Sequence, residues 1–281
     1  MKLRNRILPR GWYPFDGKDC QREIESFIEG WLPPPSLSGA ERGGIVPHAG
    51  WYFSGKLAAR VFYSLKSKRK VEIVVLYGGH LGPNELPRIV MEEAWETPLG
   101  DIKIQTDFAK SLMKRINAKE ESPSSGDNTI EVQLTMIKYF FPEAKLLAVR
   151  SPASLQAERL GKEVAEMVQR EGISIIAVGS TDLTHYGPNY GFLNKGTGPS
   201  SVEWVKKEND KEWVDRALEM DIEGLLEHAR KNDSACSAGA AASAIATCKA
   251  LGAEKGVLLE YLSSYDILPD DSFVGYAGIV Y

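Results

Sequence analysis

The chain has 281 residues, of which 43% are hydrophobic and 26% are charged, the balance of a soluble protein with a substantial core. Its 34 basic and 38 acidic residues leave a formal charge of −4, which argues against a dedicated nucleic-acid binder. The first residues lack the apolar stretch of a secretory signal, and the alanine-rich run 237–248 is too short to span a bilayer. The three cysteines form no CxxC pair. We therefore predict a cytoplasmic protein with free thiols and no membrane partner.

The predicted elements alternate between helices with apolar residues at 3.6-residue spacing and short apolar strands. A helix at 19–32 is ended by the prolines at 33–35, a strand at 43–47 leads into a glycine-flanked turn, and a helix follows to residue 65. The basic run 66–70 is interpreted as a solvated turn. The other predicted elements are strands at 71–77, 88–91 and 102–104, a helix at 107–116, a polar loop at 119–127, a helix at 129–141, a strand at 146–149, a helix at 155–170, a strand at 173–178, a glycine-rich loop at 187–203, helices at 205–220, 222–231 and 238–251, and strands at 257–263 and 273–281. This order predicts an α/β fold with a mainly parallel central sheet, helices on both faces and an antiparallel C-terminal strand pair, in one domain over residues 1–281.

Three of the four histidines follow apolar, strand-like runs at points where the chain turns, and they are His48, His80 and His185. The carboxyl ends of parallel strands share one edge of a sheet, and ligands bind in the crevice outside that edge. Neutral imidazole is the commonest protein ligand for transition metals, so His48 and His80 predict a metal site. A hydrogen-bonded histidine in a turn remains the alternative for either residue alone.

Cys236 stands just before the alanine-rich helix predicted at 238–251. A helix N-terminus lowers the pKa of a thiol and favours the thiolate, the form that binds metals or attacks electrophiles. Cys236 is therefore a candidate ligand or nucleophile, with simple packing as the alternative. We interpret Cys248, one helix further on, as a packing residue.

Asp182 and His185 share one turn, in the segment STDLTHYG. A carboxylate three residues from an imidazole could orient it or form a general acid/base pair with it. The alternative is local turn chemistry, with Asp182 capping amides and His185 facing solvent. Asn128 and Glu131 stand at a helix start, where capping is the default role and a place in the pocket is a second one. His228 lies on a charged stretch and is expected on the exposed surface.

Taken together in chain order, these residues resemble the Memo family, called AmmeMemoRadiSam system protein B in many bacteria and archaea. The matching segments are GWYP at 11–14, PHAGW at 47–51, GGH at 78–80, TIEVQL at 129–134, STDLTHYG at 180–187, Cys236 and VGYA at 274–277. The resemblance implies a fold similar to the class III extradiol dioxygenases, non-haem iron enzymes that open catechol rings. It also implies a metal held by His48, His80 and Cys236, with Asp182 and His185 beside it and His185 in the place of the acid/base histidine.

The chain departs from the family pattern at two positions. The family usually reads GPNHHG around the second ligand, whereas this chain reads YGGHLG, so Leu81 replaces a histidine. Asn128 likewise stands where the family often has histidine. Both changes are expected to reshape the pocket wall.

Three functional hypotheses follow for the site. The first is a mononuclear Fe(II) site, with copper or zinc as alternative metals, in a dioxygenase-like oxidoreductase. The second is a non-catalytic protein that handles metal or binds a peptide. The third makes Cys236 the nucleophile of a transferase or hydrolase, activated by His185 or His48. The family resemblance further implies AMMECR-type and radical SAM proteins as partners.

Overall fold

A computed structural model describes residues 2–66 and 70–281, so most of the basic run at 66–70 lies outside the described residues. The strands are β1 (Leu3–Arg4), β2 (Gly43–Val46), β3 (Ile73–Leu81), β4 (Arg88–Ile89), β5 (Ala94–Trp95), β6 (Ile102–Lys103), β7 (Lys119–Glu120), β8 (Lys145–Pro152), β9 (Ile175–Ser180), β10 (His185–Tyr186), β11 (Val257–Ser263) and β12 (Phe273–Val280). The helices are α1 (Gly17–Ile28), α2 (Lys56–Leu65), α3 (Thr106–Ile116), α4 (Asn128–Phe140), α5 (Gln156–Glu171), α6 (Pro199–Trp204), α7 (Asp210–Leu218), α8 (Ile222–Asn232), α9 (Ala238–Ala250) and α10 (Ser264–Ile267). Two π-helical turns, Trp51–Gly55 and Val205–Asn209, lead into α2 and α7.

The central sheet has the strand order β10-β12-β2-β9-β3-β8-β4-β7, and β11 pairs with β12. Its middle strands β2, β9, β3 and β8 are parallel, whereas β12 runs antiparallel to both β2 and β11. A small second sheet joins β1, β5 and β6. The predicted α/β class, with its mainly parallel sheet and antiparallel C-terminal pair, is confirmed.

Helices cover both faces of the sheet, because successive residues of each central strand point to opposite sides. In β3, Val75 and Tyr77 pack into the core formed with α3, α5, α7, α8 and α9, while Val74 and Leu76 pack into the core formed with α1, α2 and α4. All four side chains are fully buried. An uninterrupted apolar strand of this kind is typical of a parallel sheet between two helical layers.

The alanine-rich helix α9 lies unusually close to the sheet. A Cβ on Gly179 of β9 would lie 2.7 Å from the carbonyl oxygen of Ala240, so small residues on both partners permit the approach. The start of α9 therefore lies next to the carboxyl edge of the parallel strands, which brings Cys236 to the same edge as the histidines.

Several predicted boundaries were wrong. Helix α1 ends at Ile28, before the prolines that were expected to stop it, and β3 continues through the GGH segment to Leu81. The loop predicted at 187–203 contains the 3-10 turn Pro188–Tyr190 and the start of α6, where Pro199 stands in the first helical turn. No helix within residues 2–66 and 70–281 is long and apolar enough to cross a membrane.

Candidate metal centre

His48 is fixed by the turn that follows β2. Its backbone N–H donates to Oδ1 of Asp182 at 2.6 Å, and the preceding carbonyl of Pro47 accepts from Nε2 of Gln133 at 2.7 Å. Ser180 Oγ lies 3.4 Å from Nδ1 of the imidazole. The residue is only 2% exposed, so its ring is held in the floor of the site with Nε2 available to a ligand.

His80 projects from β3 immediately after Gly79, a residue with φ of +91°. A Cβ at Gly79 would lie 2.6 Å from Cβ of Arg150, so this position requires glycine for two reasons. Nδ1 of His80 lies 3.5 Å from Oδ2 of Asp127, which is in turn 3.1 Å from the Arg150 guanidinium. The carboxylate therefore orients the ring and leaves Nε2 of His80 for ligation.

Cys236 reaches the two histidines because the segment before α9 is bound to the turn after β9. The Cys236 N–H donates to the carbonyl of Asp182 at 3.2 Å, and the Ser237 N–H donates to Oγ1 of Thr181 at 3.1 Å. The Cys236 Sγ lies 3.2 Å from Nε2 of His48. Ligand atoms of His48, His80 and Cys236 all lie within 4.8 Å of one another, so the three residues could hold a metal ion, as the sequence predicts.

The three side chains shift one another's proton affinities strongly. Burial alone lowers the pKa of His48, but the negative charges of Asp182 and Cys236 outweigh burial and raise this pKa to about 9. The hydrogen bond to Asp127, with a second to Cys236, raises the pKa of His80 to about 10. Burial raises the pKa of Cys236, yet the two imidazoles overcome it and lower this pKa well below the usual value. The cluster therefore favours a thiolate, the form that binds metals.

Asp182 and His185 line the same cavity as the histidine pair. Asp182 is 3% exposed, its Oδ2 lies 3.8 Å from Nε2 of His48, and burial raises its pKa. Nδ1 of His185 lies 3.1 Å from the carbonyl oxygen of Leu183. A carbonyl oxygen only accepts, so Nδ1 carries the proton of the neutral ring and Nε2 is left as an acceptor.

Asn128 and Glu131 have different roles from capping α4. The cap is Asp127, whose side chain accepts from the Thr129 N–H at 3.0 Å, so the default role predicted for Asn128 and Glu131 was wrong. Asn128 lines the cavity and donates from Nδ2 to the carbonyl of His48 at 3.3 Å.

Glu131 binds the N-terminal segment instead of the pocket. Its buried carboxylate accepts from the N–H groups of Ile7 and Leu8, at 2.9 and 2.8 Å, and from the Tyr13 hydroxyl at 2.9 Å. These three bonds hold the segment that carries Trp12 to the cavity wall.

Leu81 and His228 complete the predicted positions. Leu81 is 5% exposed and is absent from the described residues that line the cavity. Of the two departures from the family pattern, only Asn128 therefore changes the cavity wall, and the change expected there from Leu81 was wrong. His228 is half-buried rather than exposed, with Nδ1 2.8 Å from Ser234 Oγ, and burial lowers its pKa. It lies outside the metal cluster.

Asp127 and Arg150 are the site residues that the sequence did not identify. Arg150 is held by Glu121 at 3.2 Å as well as by Asp127, which makes a buried chain of charges behind His80. Two local signals were present. Asp127 lies just before the helix predicted at 129–141, where aspartate is a favoured cap, and Arg150 follows the apolar strand predicted at 146–149, at the edge where ligands bind.

The cluster opens into a cavity of about 420 Å³. Its walls come from the N-terminal segment, from the turns after β2 and β9, from the end of β3, from the start of α4, from the segment between β11 and β12, and from β12 itself. The lining residues are Trp12, His48, Ala49, Gly50, Phe53, His80, Asn128, Asp182, His185, Tyr190, Ser264, Leu268, Asp270, Ser272, Val274 and Tyr276. The site is thus a cleft at the carboxyl edge of the sheet, where α/β proteins bind ligands.

The fold and the site define an α/β protein with two histidines and a cysteine clustered at a sheet edge. The family model described as Memo-like protein matches residues 9–280, and the chain belongs to this family. MEMO1 family proteins of Methanopyrus kandleri and Pyrococcus abyssi are each 31% identical, covering 96% of this chain and 95% and 96% of their own lengths. One from Thermococcus onnurineus is 32% identical over 86% of this chain and 88% of its own. The crystal structure of an uncharacterized protein from Escherichia coli aligns with a TM-score of 0.41 and 16% identity, over 79% of this chain and 91% of that one.

Proposed function

We propose that this chain binds one divalent transition metal ion, Fe(II) before copper or zinc, through His48, His80 and Cys236. The observation that carries the proposal is the convergence of three donor atoms from separate parts of the chain to within 4.8 Å. Bonds of about 2.1 Å to nitrogen and 2.3 Å to sulfur at a tetrahedral angle place two donors about 3.6 Å apart. The 3.2 Å between His48 Nε2 and Cys236 Sγ is close to that spacing, so this pair of donors fits one metal ion with little movement.

Two properties of the donor set support iron chemistry: its net charge and the coordination positions that it leaves free. A thiolate carries the same single negative charge as the carboxylate of the two-histidine facial triad found in non-haem Fe(II) oxygenases. Sulfur is the softer ligand, which keeps copper and zinc as alternatives. Three protein ligands leave coordination positions free toward the cavity, as catalytic metal sites require.

The proposed activity is that of a dioxygenase-like oxidoreductase acting on an aromatic diol. Fe(II) bound by the three residues would supply redox chemistry with dioxygen. His185 would accept a proton at Nε2 from a diol hydroxyl, because its Nδ1 is occupied by the Leu183 carbonyl. Asp182 would hold the His48 segment in place through its bond to the backbone amide.

A second candidate, a cysteine nucleophile, is favoured by one observation. The 3.2 Å contact between the Cys236 thiol and the His48 imidazole is also the geometry of a thiolate–imidazolium pair. The second imidazole near the same sulfur, that of His80, favours the metal instead, because a nucleophile needs only one base. Alkylation separates the two: metal should protect Cys236 from iodoacetamide if the sulfur is a ligand.

Metal analysis of anaerobically purified protein tests the proposal. Wild-type protein prepared without chelator should carry about one transition-metal ion per chain, whereas Cys236→Ser and His80→Ala should lose it. His228→Gln is the matched control, because it removes a histidine outside the cluster and should retain the metal. Wild-type protein that remains folded but takes up no metal would contradict the proposal.

Oxygen uptake by iron-loaded protein tests the activity separately. A panel of catechols should support uptake that is lost in His185→Gln while the metal content stays the same. A metal site without any turnover would leave the non-catalytic, metal-handling hypothesis in its place.

A further inference from the structure

The cavity in front of the metal cluster has room for a single-ring molecule between aromatic walls. Its volume of about 420 Å³ lies toward the small end of the range for ligand cavities. Four aromatic residues line it together with Val274 of β12, and they are Trp12, Phe53, Tyr190 and Tyr276. Aromatic walls favour a flat, apolar ring, which they contact by stacking or edge-to-face packing.

The outer wall is built from two segments that are packed firmly together. The Asn189 N–H donates to Ser272 Oγ at 3.1 Å, which joins the turn after β10 to the loop before β12. A Cβ on Gly187 would lie 2.3 Å from the carbonyl oxygen of Asp271, so the backbones are in direct contact there. Tyr190 in this wall lies edge-to-face on His185, with ring centroids 5.0 Å apart.

Asp270 gives this wall its charge. Its Oδ1 accepts from the Ser272 N–H at 3.0 Å, so the exposed carboxylate is held against the cavity. Asp270 and Tyr190 line the same cavity, and burial, followed by the charges of Asp182 and Asp270, raises the pKa of Tyr190. No lysine or arginine of the described chain lines the cavity.

A carboxylate on the end of a bound diol that points away from the metal cluster would therefore meet the charge of Asp270, with no lysine or arginine in the described lining to offset it. An ammonium group would meet Asp270, and an uncharged group would meet neither attraction nor repulsion. Charge at a cavity entrance selects ligands in this way by favouring one sign and rejecting the other.

We propose that Asp270 makes the cavity selective among small aromatic diols. Diols whose ring substituent is uncharged or carries an ammonium group are favoured, and diols bearing a carboxylate are disfavoured. The inference rests on the proposed metal site, since a metal ion would hold the diol end. Asp270 then acts on the opposite end of the same molecule.

Binding to anaerobic, Fe(II)-loaded protein tests the inference without turnover. Three catechols of matched length serve as probes: 4-(2-aminoethyl)catechol, 4-ethylcatechol and 3-(3,4-dihydroxyphenyl)propanoate, with Kd measured by calorimetry. The ammonium probe should bind about 3- to 10-fold more tightly than the carboxylate probe, with the neutral probe between them. At 1 M salt, where the screening length is about 3 Å, the difference should shrink.

Asp270→Asn should abolish the discrimination while it keeps the oxygen that accepts from Ser272. Asp271→Asn is the matched control, because it removes the neighbouring charge from a residue outside the cavity lining and should leave the ranking unchanged. A carboxylate probe that binds as tightly as the ammonium probe, or a ranking that survives in Asp270→Asn, would overturn the inference alone. Failure of all three diols to bind metal-loaded protein would overturn both the inference and the proposed diol chemistry.

Discussion

Replacing Asp127 by asparagine should weaken metal binding without unfolding the protein. Asp127 has two roles, since it caps α4 through the Thr129 N–H at 3.0 Å and faces Nδ1 of His80 at 3.5 Å. Asparagine caps helices about as well as aspartate, so the first role survives. The amide nitrogen that replaces Oδ2 cannot accept from His80 or from Arg150, so the second role is lost.

The expected loss follows from what such a carboxylate does for a ligating histidine. It fixes the ring and increases the ring's basicity, and removing such a partner costs about 10- to 100-fold in metal affinity. That is about 1.4–2.7 kcal/mol of binding free energy. Arg150 keeps Glu121 at 3.2 Å, so the charge chain is shortened rather than left unpaired.

Competition with a chromophoric chelator measures the metal affinity, and urea denaturation of the metal-free protein measures the stability. Asp221→Asn is the matched control, because Asp221 also caps a helix, accepting from the Gly224 N–H at 3.0 Å, and pairs with Arg216 at 2.9 Å. Asp127→Asn should lose more stability than Asp221→Asn, because the side chain of Asp127 is 8% exposed and that of Asp221 is 41% exposed, and only Asp127→Asn should lose metal affinity. An affinity equal to wild type in Asp127→Asn would refute the orienting role of this carboxylate.

Three further predictions concern the surroundings of the site. Burial raises the pKa of Asp210 from 3.8 to about 6, so between these pH values the native state binds more protons than the unfolded state. The free energy of unfolding should therefore fall by up to about 3 kcal/mol as the pH rises from 4 to 6. Urea titrations should show that slope reduced in Asp210→Asn, and equal slopes would contradict the assignment. Glu131→Ala should cost about 1–3 kcal/mol and speed amide exchange in the N-terminal segment, because the donors of Ile7, Leu8 and Tyr13 lose their acceptor. Unchanged exchange would count against this anchoring role. Gly79→Ala should disrupt the site, because its new Cβ would be crowded by Arg150. Gly100→Ala should cost only backbone strain, because Gly100 has a φ of +99° and no atom lies within 4 Å of the new Cβ. Equal melting temperatures for the two variants would contradict the crowding at Gly79.

The architecture was predictable where it depended on local patterns. The apolar runs of β3 and β9 indicate strands buried on both faces, and their alternation with amphipathic helices indicates a parallel sheet. Element ends were less predictable because they depend on distant pairing. Leu81 pairs with Pro152 after an irregularity at Gly79, which keeps His80 inside β3, and no local pattern reports that contact.

The candidate site was predictable to the extent that strand ends converge. His48 and His80 were found from that rule, whereas the place of Cys236 among the ligands came from the family resemblance. The bond between Glu131 and Ile7 joins residues 124 positions apart, so no local spacing indicates it. The glycines at 187–203 suggested a loop, and they obscured the helix start at Pro199. The AMMECR-type and radical SAM partners stay a prediction.

X-ray absorption at the metal edge tests the central claim most directly. Anaerobic wild-type protein should show one sulfur neighbour at about 2.3 Å and two imidazole nitrogens near 2.1 Å. Cys236→Ser should lose the sulfur shell, and His228→Gln should keep it. A bound metal with no sulfur neighbour in wild-type protein would contradict ligation by Cys236 and, with it, the proposed site.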